Sequence, residues 1–100
     1  MTATFALIAR IPAGGLADFL AYEDAVLPLL ARHGGVLERR LRTDDGLTEV
    51  HVVSFSSHAG FDAYRADPER AAQQHLLERS GAAMELIEVS DVGSATERQG

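Results

Sequence analysis

Residues 36–55 constrain this chain more than any other stretch. Asp44-Asp45-Gly46 lies between two alternating runs, Val36–Thr43 and Leu47–Phe55, and Asp45-Gly46 is a strong hairpin signal. Such a turn sets residues opposite each other when their numbers sum to 91. Arg42 then faces Glu49, Arg40 faces His51 and Val36 faces Phe55. On the other side Leu41 meets Val50, Arg39 meets Val52 and Leu37 meets Ser54. One face is charged and the other mostly apolar. The apolar face is expected to meet the helices, carrying Arg39 with it. The charged face is expected to meet a second copy of the chain.

Around this hairpin the chain punctuates itself. Residues 3–11 are apolar on both faces, as a strand covered on both sides would be, and end at Pro12. Residues 16–33 place Leu16, Phe19, Leu20, Leu27 and Leu30 on one helical stripe, closed by Gly34-Gly35, with Pro28 predicting a kink or a broken last section. Ser56-Ser57 caps a short helix at 58–66 that buries Phe61 and Tyr64. Asp67-Pro68 starts another that runs to Ser80-Gly81. Residues 83–92 form the last strand, again apolar on both faces. The order β-α-β-β-α-β, with its second helical region split, is the ferredoxin-like α+β pattern with a four-stranded antiparallel sheet. Residues 1–93 are expected to form one such domain, followed by a flexible tail over 94–100. Helices cover only one face of such a sheet. A homodimer joined through the sheet faces would cover the other.

Composition narrows the chemistry. With no cysteine and no lysine, thiolate nucleophiles, cysteine-based metal centres and Schiff-base chemistry are excluded; all nine basic side chains are arginine. A net charge of −6 argues against nucleic acid or an anionic membrane as partner. The chain shows no secretory leader pattern and no apolar run of transmembrane length, so a cytoplasmic location is expected. There is no glycine-rich phosphate loop and no compact pair of histidines, so neither a cofactor nor a metal is expected.

Three segments carry a family resemblance: Ala21-Tyr22-Glu23 with Pro28-Leu29-Leu30 and His33-Gly34-Gly35, then Val53-Ser54-Phe55-Ser56-Ser57, then Ala63-Tyr64-Arg65-Ala66-Asp67-Pro68-Glu69. Through these the chain resembles the dimeric α+β barrel superfamily. It is most similar to the small DUF1330-type branch, and less so to antibiotic-biosynthesis monooxygenases. The resemblance implies two protomers whose sheets form a shared barrel, with a pocket between sheet and helices in each. It also implies the activities of that superfamily, among them cofactor-free oxygenation, isomerisation and cyclisation. The chain departs from its haem-degrading members, because it has neither asparagine nor tryptophan.

Glu23 is the first candidate for chemistry. It falls close to the middle of the apolar helical stripe, where a carboxylate is desolvated and suited to proton transfer. Arg39, expected on the same side, would hold an anionic group. His51, kept neutral by Arg40 across the ladder, could act as a base, orient a substrate or serve in the dimer core. Tyr22 and Tyr64 could donate hydrogen bonds to an enolate or phenolate. A metal or haem ligand role for His51 or His75 is the weakest reading. The expected function is therefore binding of a small organic molecule, with cofactor-independent conversion by Glu23. The rival is a non-catalytic dimeric module in which the same charges form structural pairs.

Overall fold

The computed structural model describes residues 2–93; the tail expected over 94–100 lies outside the described residues. Strand β1 (Ala3–Arg10) leads through a 3-10 turn (Ala13–Gly15) into helix α1 (Leu16–Val26). The helix does not continue to His33. Pro28 sits in the first turn of a separate 3-10 segment, Leu27–His33, so the chain breaks where the proline predicts. Gly34 ends the segment at φ 74°, and a side chain at Gly35 would strike the Phe55 ring. Strands β2 (Gly35–Arg42) and β3 (Thr48–Phe55) follow.

Helix α2 (His58–Arg65) is capped by Ser57, whose hydroxyl accepts from the Gly60 amide. Asp67 caps α3 (Pro68–Ala71) by accepting from the Glu69 amide, with Pro68 in the first turn. The helix expected to run from there to Ser80 is two pieces: α3 stops at Ala71 and α4 spans Gln74–Ser80. Nothing in the intervening residues explains the break. Gly81 closes α4 at φ 71°, and β4 (Ala83–Val89) ends three residues before the expected Val92.

The sheet is antiparallel, in the order β2-β3-β1-β4, which is the ferredoxin-like arrangement. Its helix-side core forms two apolar clusters. One gathers Phe5, Leu29, Leu30, Phe55 and Tyr64, and the other Ala9, Ile11 and Phe19. No helix among the described residues is long and apolar enough to cross a membrane.

The hairpin keeps the expected register at its turn end and loses it at the other. Arg42 faces Glu49, Arg40 faces His51, Leu41 faces Val50 and Arg39 faces Val52. At Glu38 one extra residue enters β2, so Leu37 faces Val53, Val36 faces Ser54 and Gly35 faces Phe55. The expected pairs Val36–Phe55 and Leu37–Ser54 are therefore corrected. The Glu38 carboxylate accepts a 2.6 Å hydrogen bond from Ser54, tying the bulge across the ladder.

The expected facing of the hairpin is also corrected. Glu49 and His51 lie opposite Ala9 and Leu7 of β1, on the same side as Phe5, Phe55 and the helices. Arg40 and Arg42 share that side through their pairing with His51 and Glu49. Arg39, opposite Val52, lies on the outer face with Ala6, Ile8, Val50 and Leu41. The charged set points into the molecule, and the apolar set points out.

Candidate functional site

Between the two apolar clusters the helix side of the sheet holds a cavity of about 370 Å³, a volume suited to a small organic ligand. Helix α1 contributes Tyr22 and Glu23, β3 contributes His51, α2 contributes Phe61 and Tyr64, and α3 contributes Arg70. The helical spacing that put Glu23 on the apolar stripe of α1 brings it here, 2 % exposed. His51 is 1 % exposed and Glu49, two residues before it on the same strand face, is fully buried.

These side chains form a chain of contacts. Arg40 donates to both Glu49 oxygens at 2.9 and 3.3 Å, and Arg42 donates to Oε2 at 2.8 Å. His51 Nε2 lies 2.8 Å from Glu49 Oε1. On the far side of the ring, His51 Nδ1 lies 3.5 Å from Glu23 Oε2. Burial by itself would raise the Glu49 pKa. The hydrogen bonds from Arg40, His51 and Arg42 outweigh it and bring the pKa to about 2. An ionised Glu49 only accepts, so His51 carries its proton on Nε2 and presents the Nδ1 lone pair to the cavity.

Glu23 has no such support. Burial pushes its pKa up to about 7, with Arg40 opposing and Glu49 adding to the rise. Burial also lowers the His51 pKa, against the pull of Glu49 and with the push of Arg40 and Arg42. At neutral pH the pair is a carboxyl group poised near its midpoint beside a neutral imidazole. Glu23 Oε2, His51 Nδ1 and the Tyr22 hydroxyl are buried and have no hydrogen-bond partner, as is Arg70 Nε. Buried polar atoms are rarely left unpaired, and here three of them belong to one cavity wall and the fourth to the α3 side of the same cavity.

The structure thus brings together Glu23, Tyr22, Tyr64 and His51, and leaves Arg39 on the other face of the sheet, away from Glu23. His75 is also elsewhere: it is on α4, with Nδ1 at 3.1 Å from the Ala72 carbonyl. His33 is bound to Asp67 at 2.7 Å, beside Arg32. The sequence reading missed two contributors, Glu49 as the anchor of His51 and Arg70. Glu49 left a signal, since residues two apart on a strand share a face. Arg70 left none, because its place depends on where α3 packs.

Glu23, Glu49 and His51 bring one ligand atom each within 4.8 Å of the others, close enough to surround a cation. The donor set fits poorly, however. Both Glu49 oxygens are engaged by guanidinium groups, leaving Glu23 and a single imidazole nitrogen beside two arginines.

No family model matches the sequence, and no curated protein does so either. Solved structures do match. A cofactor-independent oxygenase of Streptomyces nogalater, SnoaB, superposes with TM-score 0.78 at 20 % identity over 94 % of this chain and 96 % of that one. Rv0793 of Mycobacterium tuberculosis gives TM-score 0.68 at 17 % identity over 94 % and 100 %. A Nitrosomonas europaea protein assigned by inference as an antibiotic biosynthesis monooxygenase gives 0.76 at 8 % identity over 92 % and 91 %. At these identities the likeness is one of fold. At that level the resemblance to antibiotic-biosynthesis monooxygenases is borne out.

Proposed function

We propose that the chain binds a small organic molecule between helices and sheet and acts on it without a cofactor, His51 serving as the base. The observation that carries this reading is the convergence of unpartnered, buried polar atoms from Tyr22, Glu23 and His51 on one cavity. His51 Nδ1 takes a proton from an acidic C–H or O–H of the ligand. The bonding electrons remain on the ligand as an enolate or phenolate. Glu49 positions the ring, fixes its tautomer and stabilises the imidazolium that forms. Tyr22 and protonated Glu23 donate hydrogen bonds to the developing oxyanion. Glu23 can also return a proton at a second atom, which completes an isomerisation. The same anion would begin a ring closure or a reaction with dioxygen, and the oxygenase SnoaB lends weight to the latter.

The working unit in this reading is a homodimer joined through the outer sheet faces. Support comes from side chains that a lone protomer leaves in water: Val36 is 54 % exposed and Ile87 41 %. Both lie on the face opposite the helices, with Ile8, Val50 and Val52 between them.

The test is proton exchange. A panel of enolisable ketones and phenols is incubated with the protein in D2O, and deuterium at the acidic carbon is followed by NMR. Wild-type protein is expected to accelerate exchange for at least one member. The variant His51→Gln should lose about 10²–10⁴-fold of that rate. Exchange that is as fast in His51→Gln as in wild type would remove the base from the proposal.

A further inference from the structure

The cavity has one polar wall and one aromatic wall, and the arginines around it are unequally engaged. Among the described residues five arginines are paired with carboxylates: Arg10, Arg32, Arg40, Arg42 and Arg79. Arg39, Arg65 and Arg70 are not. Of these three, Arg65 and Arg70 line the cavity, while Arg39 faces away from it. Both cavity arginines are held over aromatic rings, Arg65 at 5.5 Å from the Phe61 centroid and Arg70 at 4.9 Å from that of Tyr64. The Arg70 guanidinium is held against Tyr64 by stacking and by a side-chain hydrogen bond to it, and its Nε is buried with no acceptor.

The charge sum near the cavity points the same way. Arg40 and Arg42, behind the His51 wall, together outweigh ionised Glu49 by one positive charge, and Glu23 takes back only part of it. Arg65 and Arg70, both on the lining, add two more. The cavity is therefore electropositive within a chain whose net charge is −6. The same cavity is lined by aromatic side chains. Phe5 and Phe61 are stacked at 4.0 Å, with Phe55 edge-on to both.

We infer that the ligand is a planar aromatic or conjugated carboxylate, its ring against Phe5 and Phe61 and its carboxylate bonded to Arg70. This deepens the proton-transfer reading and rests on the same cavity. The carboxylate is the group that answers the unpartnered Arg70 Nε. A planar guanidinium suits it because both partners are flat and bidentate. With the carboxylate at Arg70, the rest of the molecule reaches toward Glu23 and His51. The acidic position of the ligand thus lies away from its carboxylate.

Ligand-observed NMR tests this with benzoate, cinnamate and 2-naphthoate, each beside the carboxamide of the same shape. At least one acid should bind wild-type protein about tenfold or more tighter than its amide. Arg70→Gln should remove that preference, Arg70→Lys should restore part of it, and Arg39→Gln should leave it intact. Equal binding of acids and amides would overturn the inference. So would an acid preference that survives Arg70→Gln, or no binding by any acid. None of these outcomes touches the exchange measured with His51→Gln, so the two readings fail separately.

Discussion

The two faces of the sheet differ in what they hold: an ionic network shares the helix side with the apolar core, and an uncovered apolar patch lies on the outer face beside Arg10, Arg39 and Glu85. The face under the helices holds Glu49, His51, Arg40 and Arg42, with Glu23 closing over them from α1. The face turned away holds Ala6, Ile8, Val50, Val52 and Ile87. In an ordinary one-sided sheet the apolar set is covered and the charged set is wet. Here Glu49 and His51 are buried under the protein's own helices, Arg40 and Arg42 reach them from exposed positions, and their pairing with Glu49 offsets its desolvation. The apolar set is left for another surface. A buried charge network beside a cavity and an open apolar face beside solvent are both expensive arrangements. The proposed ligand on one side and the proposed second copy on the other would account for both.

Breaking the covered side should give the largest effect. Glu49→Ala leaves Arg40, Arg42 and His51 facing one another with no counter-charge, and should cost about 3–5 kcal/mol in urea denaturation. A loss below 1 kcal/mol would mean the network contributes little. On the open side, Ile8→Glu puts a charge at the centre of the apolar face. It should weaken self-association by about 3 kcal/mol, shifting a dimer toward monomer in sedimentation velocity at micromolar concentration. Sedimentation unchanged from wild type would separate that face from dimerisation.

The third effect is pH-dependent and belongs to Glu23. Its folded pKa of about 7 lies above the ordinary 4.5, so between these values the folded chain holds the extra proton. Its contribution is complete below pH 4.5 and is lost as pH rises through 7. His51, whose pKa is lowered, works against this slope, so the informative quantity is the difference between wild type and Glu23→Gln. That difference should favour the variant by up to about 3 kcal/mol at pH 8 and shrink toward pH 4.5. A difference flat with pH would place an ionised, solvated carboxylate at position 23. Glu49, with its pKa near 2, behaves in the opposite sense and loses its contribution as pH falls from 4.5 toward 2. The smallest effect is expected at Arg39. Arg39→Ala should leave the NMR titration of the His51 ring unchanged and stability within about 0.5 kcal/mol, whereas Arg40→Ala should raise the Glu49 pKa.

Much of this comparison was legible in the sequence, but not its sign. Strand order, the break at Pro28, the caps at Ser57 and Asp67 and the pairing of Arg42 with Glu49 all follow from local rules. Alternation then divides the hairpin into two faces without saying which is covered. The clue was Phe55, the one aromatic of β3, which shares its side with His51 because they are four residues apart. That parity outranks the charges, since a large ring in the middle of a fold belongs to the core. Glu23 was legible because the helical period is local. Arg39 was misplaced as its partner because the whole face was assigned inverted. Arg70 was not legible at all, since its position comes from the packing of a four-residue helix.

The bulge at Glu38 gives β2 something like a reading frame. Upstream of it Leu37 packs inward; downstream, Arg40 and Arg42 point inward too, although strict alternation from Leu37 would send both outward. Deleting Glu38 would close the bulge in place: Arg39 would follow Leu37 opposite Val52, and Arg40 and Arg42 would still meet His51 and Glu49. A residue gained or lost as a bulge thus leaves the ionic anchor where it is, whereas one absorbed by sliding the strand would turn Arg40 and Arg42 to the opposite face.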